Sequence, residues 1–330
     1  MPPRRALYTT TPNTPIILPP RHAIDPPELR SCDWCHISSR QLKRCAACNT
    51  SIYCSRECQK AAWHLHKTSC KSFSNVKSEY GPAAEDLTLA QLRALGFSSL
   101  LGFTEAFSDF QDAHSWTLAN IALAAVRGDG PLDWLQAPES EHTKAVRVHL
   151  IARSPSERRR THRDPGSAFW VKGVGFVEDS KFLDEMRKHR SDLPLPSKLE
   201  ASQDPGYIGA AFVVYDIEGV TMKMSKTFAQ YWPTAPELAG PEEQKAIFDD
   251  MLMLCIGCIN MRCPLRILEG NDPIVALPGR FSRVEGKWTW KPLFTDWQNY
   301  RGGDRGLDEV LGRLKHHIPP RDLMTAISRL

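Results

Sequence analysis

Residues 32–70 read CDWCHISSRQLKRCAACNTSIYCSRECQKAAWHLHKTSC, and this stretch decides how the N-terminal part of the chain folds. It holds seven of the ten cysteines of the chain. Their spacing is C-x2-C-x9-C-x2-C-x5-C-x3-C, followed by x7-H-x3-C. The chain starts with prolines, arginines and threonines rather than with an apolar signal-peptide core, so we expect an intracellular protein. In a reducing compartment, clustered cysteines indicate metal binding rather than disulfides.

The candidate ligands form two sets of four, which is the number that two tetrahedral zinc ions require. They are Cys32, Cys35, Cys45, Cys48, Cys54, Cys58, His66 and Cys70. A C-x2-C pair brings two thiolates onto one ion across a tight turn. The pairs Cys54/Cys58 and His66/Cys70 are four residues apart, which places both side chains on one face of a helix. Because four protein ligands leave no open position on either ion, both zinc ions are predicted to be structural.

The stretch resembles the MYND zinc finger. The pattern of that family ends in Tyr-Cys, Cys-Gln, Trp and His-x3-Cys, which are here Tyr53-Cys54, Cys58-Gln59, Trp63 and His66 to Cys70. The resemblance implies interleaved zinc binding. One ion would take Cys32, Cys35, Cys54 and Cys58, and the other would take Cys45, Cys48, His66 and Cys70. Spacing alone does not distinguish this pairing from a sequential one.

The resemblance also implies a protein partner, bound as a short proline-containing peptide beside a small sheet. Gln59 and Trp63 match family positions near the peptide groove. For Trp63 a second interpretation stays open, in which its ring packs the two zinc lobes together. No separate recognition helix is apparent and the basic residues are dispersed, so a nucleic-acid partner is not predicted.

The finger is too small to fold on a hydrophobic core of its own. Zinc binding should therefore supply most of its folding free energy, on the order of 10 kcal/mol per ion. We expect metal removal to unfold the finger and to leave the rest of the chain folded.

Composition and the positions of proline and glycine residues divide the chain into four parts. Residues 1–28 hold eight of the 25 prolines and are predicted to be a disordered Pro-rich tail. The MYND zinc finger follows at 29–71, and a connector at 72–85 carries Gly81-Pro82. Residues 86–330 have ordinary globular composition and form the domain of unknown function. No apolar run reaches about 18 residues, so no membrane span is expected.

Hydrophobic periodicity predicts an α+β domain with a mainly antiparallel sheet for 86–330. Two hairpins are predicted, one turning at Glu218-Gly219 into Val220–Met224 and one spanning Arg280–Lys291. Further strands are predicted at 146–150, 169–177 and 207–215. Helices are predicted at 87–95, 116–126, 181–189, 242–260, 307–316 and 321–329.

The domain carries no common catalytic signature: G-x-x-x-x-G-K-[ST], G-x-S-x-G and H-E-x-x-H do not occur. We therefore predict a zinc-binding interaction adaptor in the nucleus or cytoplasm that is not an enzyme. Uncharacterised fungal proteins with an N-terminal MYND finger have a similar arrangement, which implies no known activity.

The alternative is a SET-type protein lysine methyltransferase carrying a MYND finger. In that family an Asn-His-x-Cys motif helps to bind the methyl donor, and Asn260-Met261-Arg262-Cys263-Pro264 resembles it without the histidine. Cys255, Cys258 and Cys263 are interpreted as core cysteines rather than as a third metal site.

The net charge of +4 is small for 330 residues, and metal binding lowers it further. Seven ligand cysteines would bind as thiolates, and two zinc ions return only part of that negative charge. The mild basicity of the sequence therefore does not favour nucleic-acid or membrane binding.

Overall fold

A computed structural model describes much of the chain. The described residues are 8–9, 32, 34–35, 42–47, 51–63, 66–67, 70, 87–136, 143–160, 164–179, 181–184, 204–268, 275–284 and 287–330. Within the predicted 1–28 tail, Tyr8–Thr9 form a short strand, β1. The rest of that tail and the predicted connector at 72–85 lie outside the described residues, so the four-part division stays a prediction.

The finger is built from one small ribbon and a helical segment. Strand β2 (Lys43–Arg44) pairs antiparallel with β3 (Ile52–Tyr53). Residues 56–63 and 66–67 are helical. The Ser55 hydroxyl accepts a hydrogen bond from the Cys58 N–H at 3.2 Å, as expected of a residue that caps the start of a helix.

The domain that follows begins with helical residues 87–94. Its further helices are α1 (Leu100–Ala113), α2 (Ser115–Gly128), α3 (Pro155–Arg160), α4 (Pro241–Asn260), α5 (Arg305–Leu311) and α6 (Pro320–Ile327). Pro241 occupies the first turn of α4, where its missing N–H costs no hydrogen bond. The predicted helices at 116–126 and 242–260 lie within α2 and α4.

Helix α1 was not predicted. Ser99 begins it by accepting a hydrogen bond from the Gly102 N–H at 3.0 Å. Phe103, Phe107 and Phe110 lie on one helix face and are buried. Edge-to-face contacts join all three rings to Phe169 on the neighbouring sheet. This aromatic stripe at helical spacing was the available signal.

The strands form a larger and a smaller sheet besides the ribbon of the finger. The larger sheet contains β1, β4 (Ala145–Ala152), β5 (Phe169–Val177), β6 (Tyr207–Ile217) and β7 (Met224–Tyr231), in the order β1-β5-β4-β6-β7. The smaller sheet has the order β10-β9-β8, with β8 (Leu265–Arg266), β9 (Leu277–Val284) and β10 (Lys287–Pro292).

The larger sheet is mixed: one of its strand pairs is parallel and the others are antiparallel, so the predicted mainly antiparallel sheet is confirmed in part. Strands β4 and β5 are antiparallel, as are β6 and β7, but β4 and β6 run parallel, with Val146 opposite Val213. The chain leaves β5 and returns on the far side of β4. Turn signals identify hairpins but do not tell which edge of the sheet the next strand joins.

The structure agrees with the two predicted hairpins to different extents. The turn at Glu218-Gly219 is present, and Gly219 has a φ of 85°, which favours glycine. The returning strand is Met224–Tyr231, however, so the predicted strand at Val220–Met224 is wrong. In the second hairpin β9 pairs with β10 as predicted, and its turn at Glu285-Gly286 lies outside the described residues.

The core lies between the larger sheet and helices α2 and α4. The opposite sheet face is covered in part by residues 181–184, where Leu183 packs with Phe212 and Val214. Cys255, Cys258 and Cys263 are fully buried, and burial raises the pKa of each thiol, as expected of core cysteines. None of the helices in the described part of the chain has the length and apolar character to cross a membrane.

His114 gives the fold a pH dependence that can be measured. Its ring is fully buried, and its Nε2 donates to the Gly166 carbonyl at 2.9 Å. Burial lowers its pKa to about 4, and the charges of Arg153 and Arg266 add to this effect. Because the folded-state pKa is depressed, the stability from neutral His114 is present above about pH 6.5 and is lost as the pH falls towards 4.

We expect His114 to account for about 2 kcal/mol of the stability lost between about pH 7 and pH 5. His114→Gln should remove that part of the pH dependence in urea unfolding followed by helical circular dichroism. His316→Gln, at a position with an exposed side chain, should retain it. The same pH dependence in wild type and His114→Gln would show that this histidine is not responsible.

Candidate metal centre

The first group of ligands consists of four cysteines from two distant parts of the finger. Cys32 and Cys35 lie before the ribbon, and Cys54 and Cys58 lie at the start of the helical segment. The Sγ atoms of Cys35 and Cys54 are 3.5 Å apart, as are those of Cys54 and Cys58. A zinc–sulfur distance of about 2.3 Å places two thiolates of one tetrahedron about 3.8 Å apart. The group therefore fits a zinc ion held by four thiolates.

The second group contains Cys45, His66 and Cys70, all three buried. The Sγ atoms of Cys45 and Cys70 are 3.9 Å apart, and Nε2 of His66 lies 3.4 Å from Sγ of Cys45. The two groups alternate along the chain, in the interleaved order that the family resemblance implied. Cys48 lies outside the described residues and stays the predicted fourth ligand. The two groups together support the expected cofactor, two structural zinc ions.

The electrostatics of the first group explain why it needs a cation. Burial raises the pKa of the Cys32 thiol, but backbone N–H groups of Cys35, Cys54 and Trp34 outweigh burial and lower it to about 7. Contacts with the thiols of Cys35 and Cys58 raise the pKa of Cys54 to about 12. Several thiolates this close repel one another, so a divalent cation is required to hold them deprotonated together.

Ser51 supports the second group and was not identified from the sequence. Its buried hydroxyl lies 3.2 Å from Nδ1 of His66. If Nδ1 donates this hydrogen bond, Nε2 keeps the lone pair that faces Cys45 and can bind metal. Burial also lowers the pKa of His66, which favours the neutral ligand form. The general rule that a zinc-bound histidine needs an oxygen partner predicts such a residue, but does not say which hydroxyl supplies it.

The two predicted peptide-binding residues lie on the helical segment between the ligands. Gln59 is half-buried, and Trp63 is 45% exposed. The ring of Trp63 also makes an edge contact with His66, with ring centroids 5.8 Å apart. Trp63 therefore packs against the second group and presents a ring to solvent, so the two interpretations of this residue are compatible.

We expect Ser51→Ala to weaken zinc binding at the second group by about 10- to 100-fold, because His66 loses its orienting hydrogen bond. Ser55→Ala is the matched control, since Ser55 caps the helical segment next to the first group. Competition with a chromogenic chelator would measure both affinities. Two unchanged affinities in Ser51→Ala would contradict the role assigned to this hydroxyl.

Curated relatives match the chain in the finger alone. A human protein named histone-lysine N-methyltransferase SMYD3 is 43% identical over 51 residues, which are 16% of this chain and 12% of the relative. A Caenorhabditis elegans protein named SET domain-containing protein 14 is 51% identical over 41 residues, or 12% and 10% of the two chains. The chain thus spans about a tenth of these relatives. No solved structure matches the chain significantly.

These relatives correct the prediction that the chain is not an enzyme. An Arabidopsis thaliana protein named histone-lysine N-methyltransferase ASHR1 matches as well, at 40% identity over 48 residues, 14% of this chain and 10% of the relative. The prediction rested on the absence of common catalytic signatures, and a motif search of that kind does not cover this class of enzyme. The shared residues lie in the finger, so the activity itself is a matter of proposal.

The model of the MYND finger family matches residues 32–70. The match begins at the first predicted ligand and ends at the last one, and it supports a protein partner for this segment. Residues 32–70 are therefore a MYND-type zinc finger.

Proposed function

We propose that the finger recruits a protein partner by binding a short proline-containing peptide. The main observation in support is the exposed ring of Trp63, which lies on the same helical segment that supplies Cys58 and His66. An aromatic side chain held by a zinc-bound helix is rigid, so it loses little conformational entropy on binding. Proline rings pack well on such a surface because a proline-rich peptide is already extended.

The charges around Trp63 favour an acidic partner. Arg56, Lys60 and Lys67 are exposed. Lys60 follows Arg56 by four residues, Trp63 follows Lys60 by three, and Lys67 follows Trp63 by four. This spacing places the three cations and the ring on one helix face. Glu57 is exposed too and interacts with Lys60 and Arg56, so it offsets part of this positive charge and leaves a net excess of two. A peptide with acidic residues flanking its prolines would complement this face.

The affinity of the zinc-loaded chain for two synthetic peptides tests this function. Both peptides have a Pro-Pro core, one flanked by glutamates and the other by lysines. We expect the acidic peptide to bind more tightly, and Trp63→Ala to weaken its binding by about tenfold or more. Lys60→Glu should weaken it several-fold, whereas Lys43→Glu, on the exposed ribbon, should have little effect. Unchanged binding by Trp63→Ala would place the peptide elsewhere.

The named relatives favour a second function, protein lysine methylation, over a purely adaptor role. In this proposal the chain is itself a methyltransferase, and the finger brings a protein substrate to it. The support comes from the relatives alone. In the segment from Asn260 to Pro264, which resembles the methyl-donor motif, Asn260 makes structural hydrogen bonds instead. The Asn260 side chain is buried, and its Oδ1 and Nδ2 bond the backbone N–H and C=O of Val171 at 2.8 and 3.0 Å, which is a structural role.

A methyl-transfer assay distinguishes the two functions. The full chain with labelled S-adenosylmethionine and histone substrate should incorporate label if it is a methyltransferase. Trp63→Ala should then raise KM for the protein substrate and leave methyl-donor affinity unchanged. No incorporation, together with no measurable binding of the donor by calorimetry, would overturn the methyltransferase proposal and leave peptide binding intact.

A further inference from the structure

The chain contains its own copy of the kind of peptide that the finger is proposed to bind. Asp25-Pro26-Pro27-Glu28 is a Pro-Pro pair with an acidic residue on each side, and it ends four residues before Cys32. Three other Pro-Pro pairs occur, at 2–3, 19–20 and 319–320, and none of them has an acidic residue on either side. Residues 25–28 lie outside the described residues, whereas the surface around Trp63 lies within them.

The surface around Trp63 has the dimensions of such a peptide. We call the ring of Trp63, together with the exposed side chains of Lys60 and Lys67, the Trp63 face. At the rise of a helix, Lys60 and Lys67 lie about 10 Å apart along the segment, on either side of the ring. A Pro-Pro pair favours the polyproline conformation, in which residues three apart, as Asp25 and Glu28 are, lie about 9 Å apart. The two acidic groups therefore meet the two cations when the prolines cover the ring.

The charge of the motif also fits the Trp63 face. The described part of the helical segment carries three exposed cations and one exposed anion. The thiolates of the zinc groups are negative too, but they occupy buried or half-buried positions next to their metal sites. Asp25 and Glu28 are the two acidic residues among residues 1–31, and the nearest arginines, Arg21 and Arg30, lie beyond the motif on its two sides. The negative charges of this region are therefore concentrated beside one Pro-Pro pair, as a cationic and aromatic face requires.

The motif is close enough to reach the Trp63 face of its own chain. Cys32 and Cys58 belong to one ligand group, whose Sγ atoms lie within 4.8 Å of one another. Trp63 follows Cys58 by five residues, which is about 7.5 Å along a helix. Pro27 precedes Cys32 by five residues, and a chain of that length spans at most about 17 Å. The tether is therefore long enough for contact within one chain.

The tether favours the finger of the same chain over the finger of a second copy. A short linker that spans two sites gives the tethered segment an effective concentration on the order of 1 mM. A second copy at micromolar concentration therefore competes poorly for the same face. The tether also fixes the direction of the motif, because Glu28 is held near Cys32 and hence near Lys60, whereas Asp25 can extend towards Lys67.

We propose that the motif at 25–28 occupies the Trp63 face of its own finger, with its prolines on the ring and its acidic residues beside Lys60 and Lys67. This inference rests on the function proposed for the finger and names an occupant of that site within the chain. An added peptide must displace the motif, so its apparent affinity falls with the fraction of chains whose face is free. A face that is free in one third of the chains binds about threefold more weakly.

Binding of the glutamate-flanked Pro-Pro peptide to the full, zinc-loaded chain tests this inference. The double variant Pro26→Ser, Pro27→Ser should bind the peptide about threefold more tightly or better, because the competing motif is lost. The double variant Pro19→Ser, Pro20→Ser is the matched control and should bind as wild type does, since that pair has no acidic neighbour. Equal affinities in the two double variants would overturn the inference. If Trp63→Ala still weakened binding in that case, the function proposed for the finger would stand.

The indole N–H resonance of Trp63 gives a second readout that needs no added peptide. In the full chain with isotopically labelled tryptophan, Trp63→Phe identifies this resonance. We expect the resonance to move in Pro26→Ser, Pro27→Ser but not in the control, and saturating peptide should return it towards the wild-type position. An unmoved resonance in both double variants would overturn the inference. A wild-type position that changes with chain concentration would do so too, because it indicates binding between copies.

Discussion

Burial of α4 is the constraint on which the larger domain depends. From Ile247 to Asn260 nearly every side chain of this helix is buried, so its polar groups must find partners inside the protein. Asp250 accepts from the backbone N–H groups of His316 and Ile318, at 2.9 and 3.0 Å, and thereby fixes the C-terminal segment. Asn260 does the same for β5, as Arg153 does for the last turn of the helix. Polar contacts thus set the position of a helix that hydrophobic burial alone would leave free to slide.

The finger is stabilised in a different way. Among the described residues of the finger, the buried ones are ligands together with Ser51, Tyr53 and Ala62. A core of this size cannot offset the entropy of ordering the chain, so the metal–ligand bonds must do so. The same bonds hold Trp63 in place, which links the metal to the surface that we propose for the partner peptide. Structural zinc is then a condition for recognition, although it makes no contact with the partner.

Local spacing made the finger predictable. The geometry of ligand pairs three or four residues apart is fixed by local turns and helices, and seven of the eight predicted ligands fall into two compact groups. Ser51 could not be predicted, because a hydroxyl at several nearby positions could have reached His66. Most helices of the domain followed from periodicity and the hairpins from turn residues, but helices α1 and α3, strand β8 and the start of β7 were not predicted.

Contacts between residues that are far apart in the sequence could not be predicted. Strand β6 pairs with β4, although β5 lies between them in the chain, and nothing in the sequence of β6 indicates this pairing. Arg153 donates to the carbonyls of Ile259 and Asn260, which follow it by more than a hundred positions. In the sequence Arg153 looks like an ordinary surface charge. The prediction that the chain is not an enzyme failed for a related reason, since motif searches detect only chemistry that is written in short segments.

The alternation of the two ligand groups has a consequence for biosynthesis. As the chain leaves the ribosome, Cys32 and Cys35 emerge first but cannot complete a tetrahedron until Cys58 has followed. By then Cys45 has emerged as well, but its own group is complete only when Cys70 follows. The first ion can be held once Cys58 is available and the second only after Cys70, so both sites are completed at the end of the finger. A cut between Cys45 and Cys58 would separate ligands of both metal sites at once.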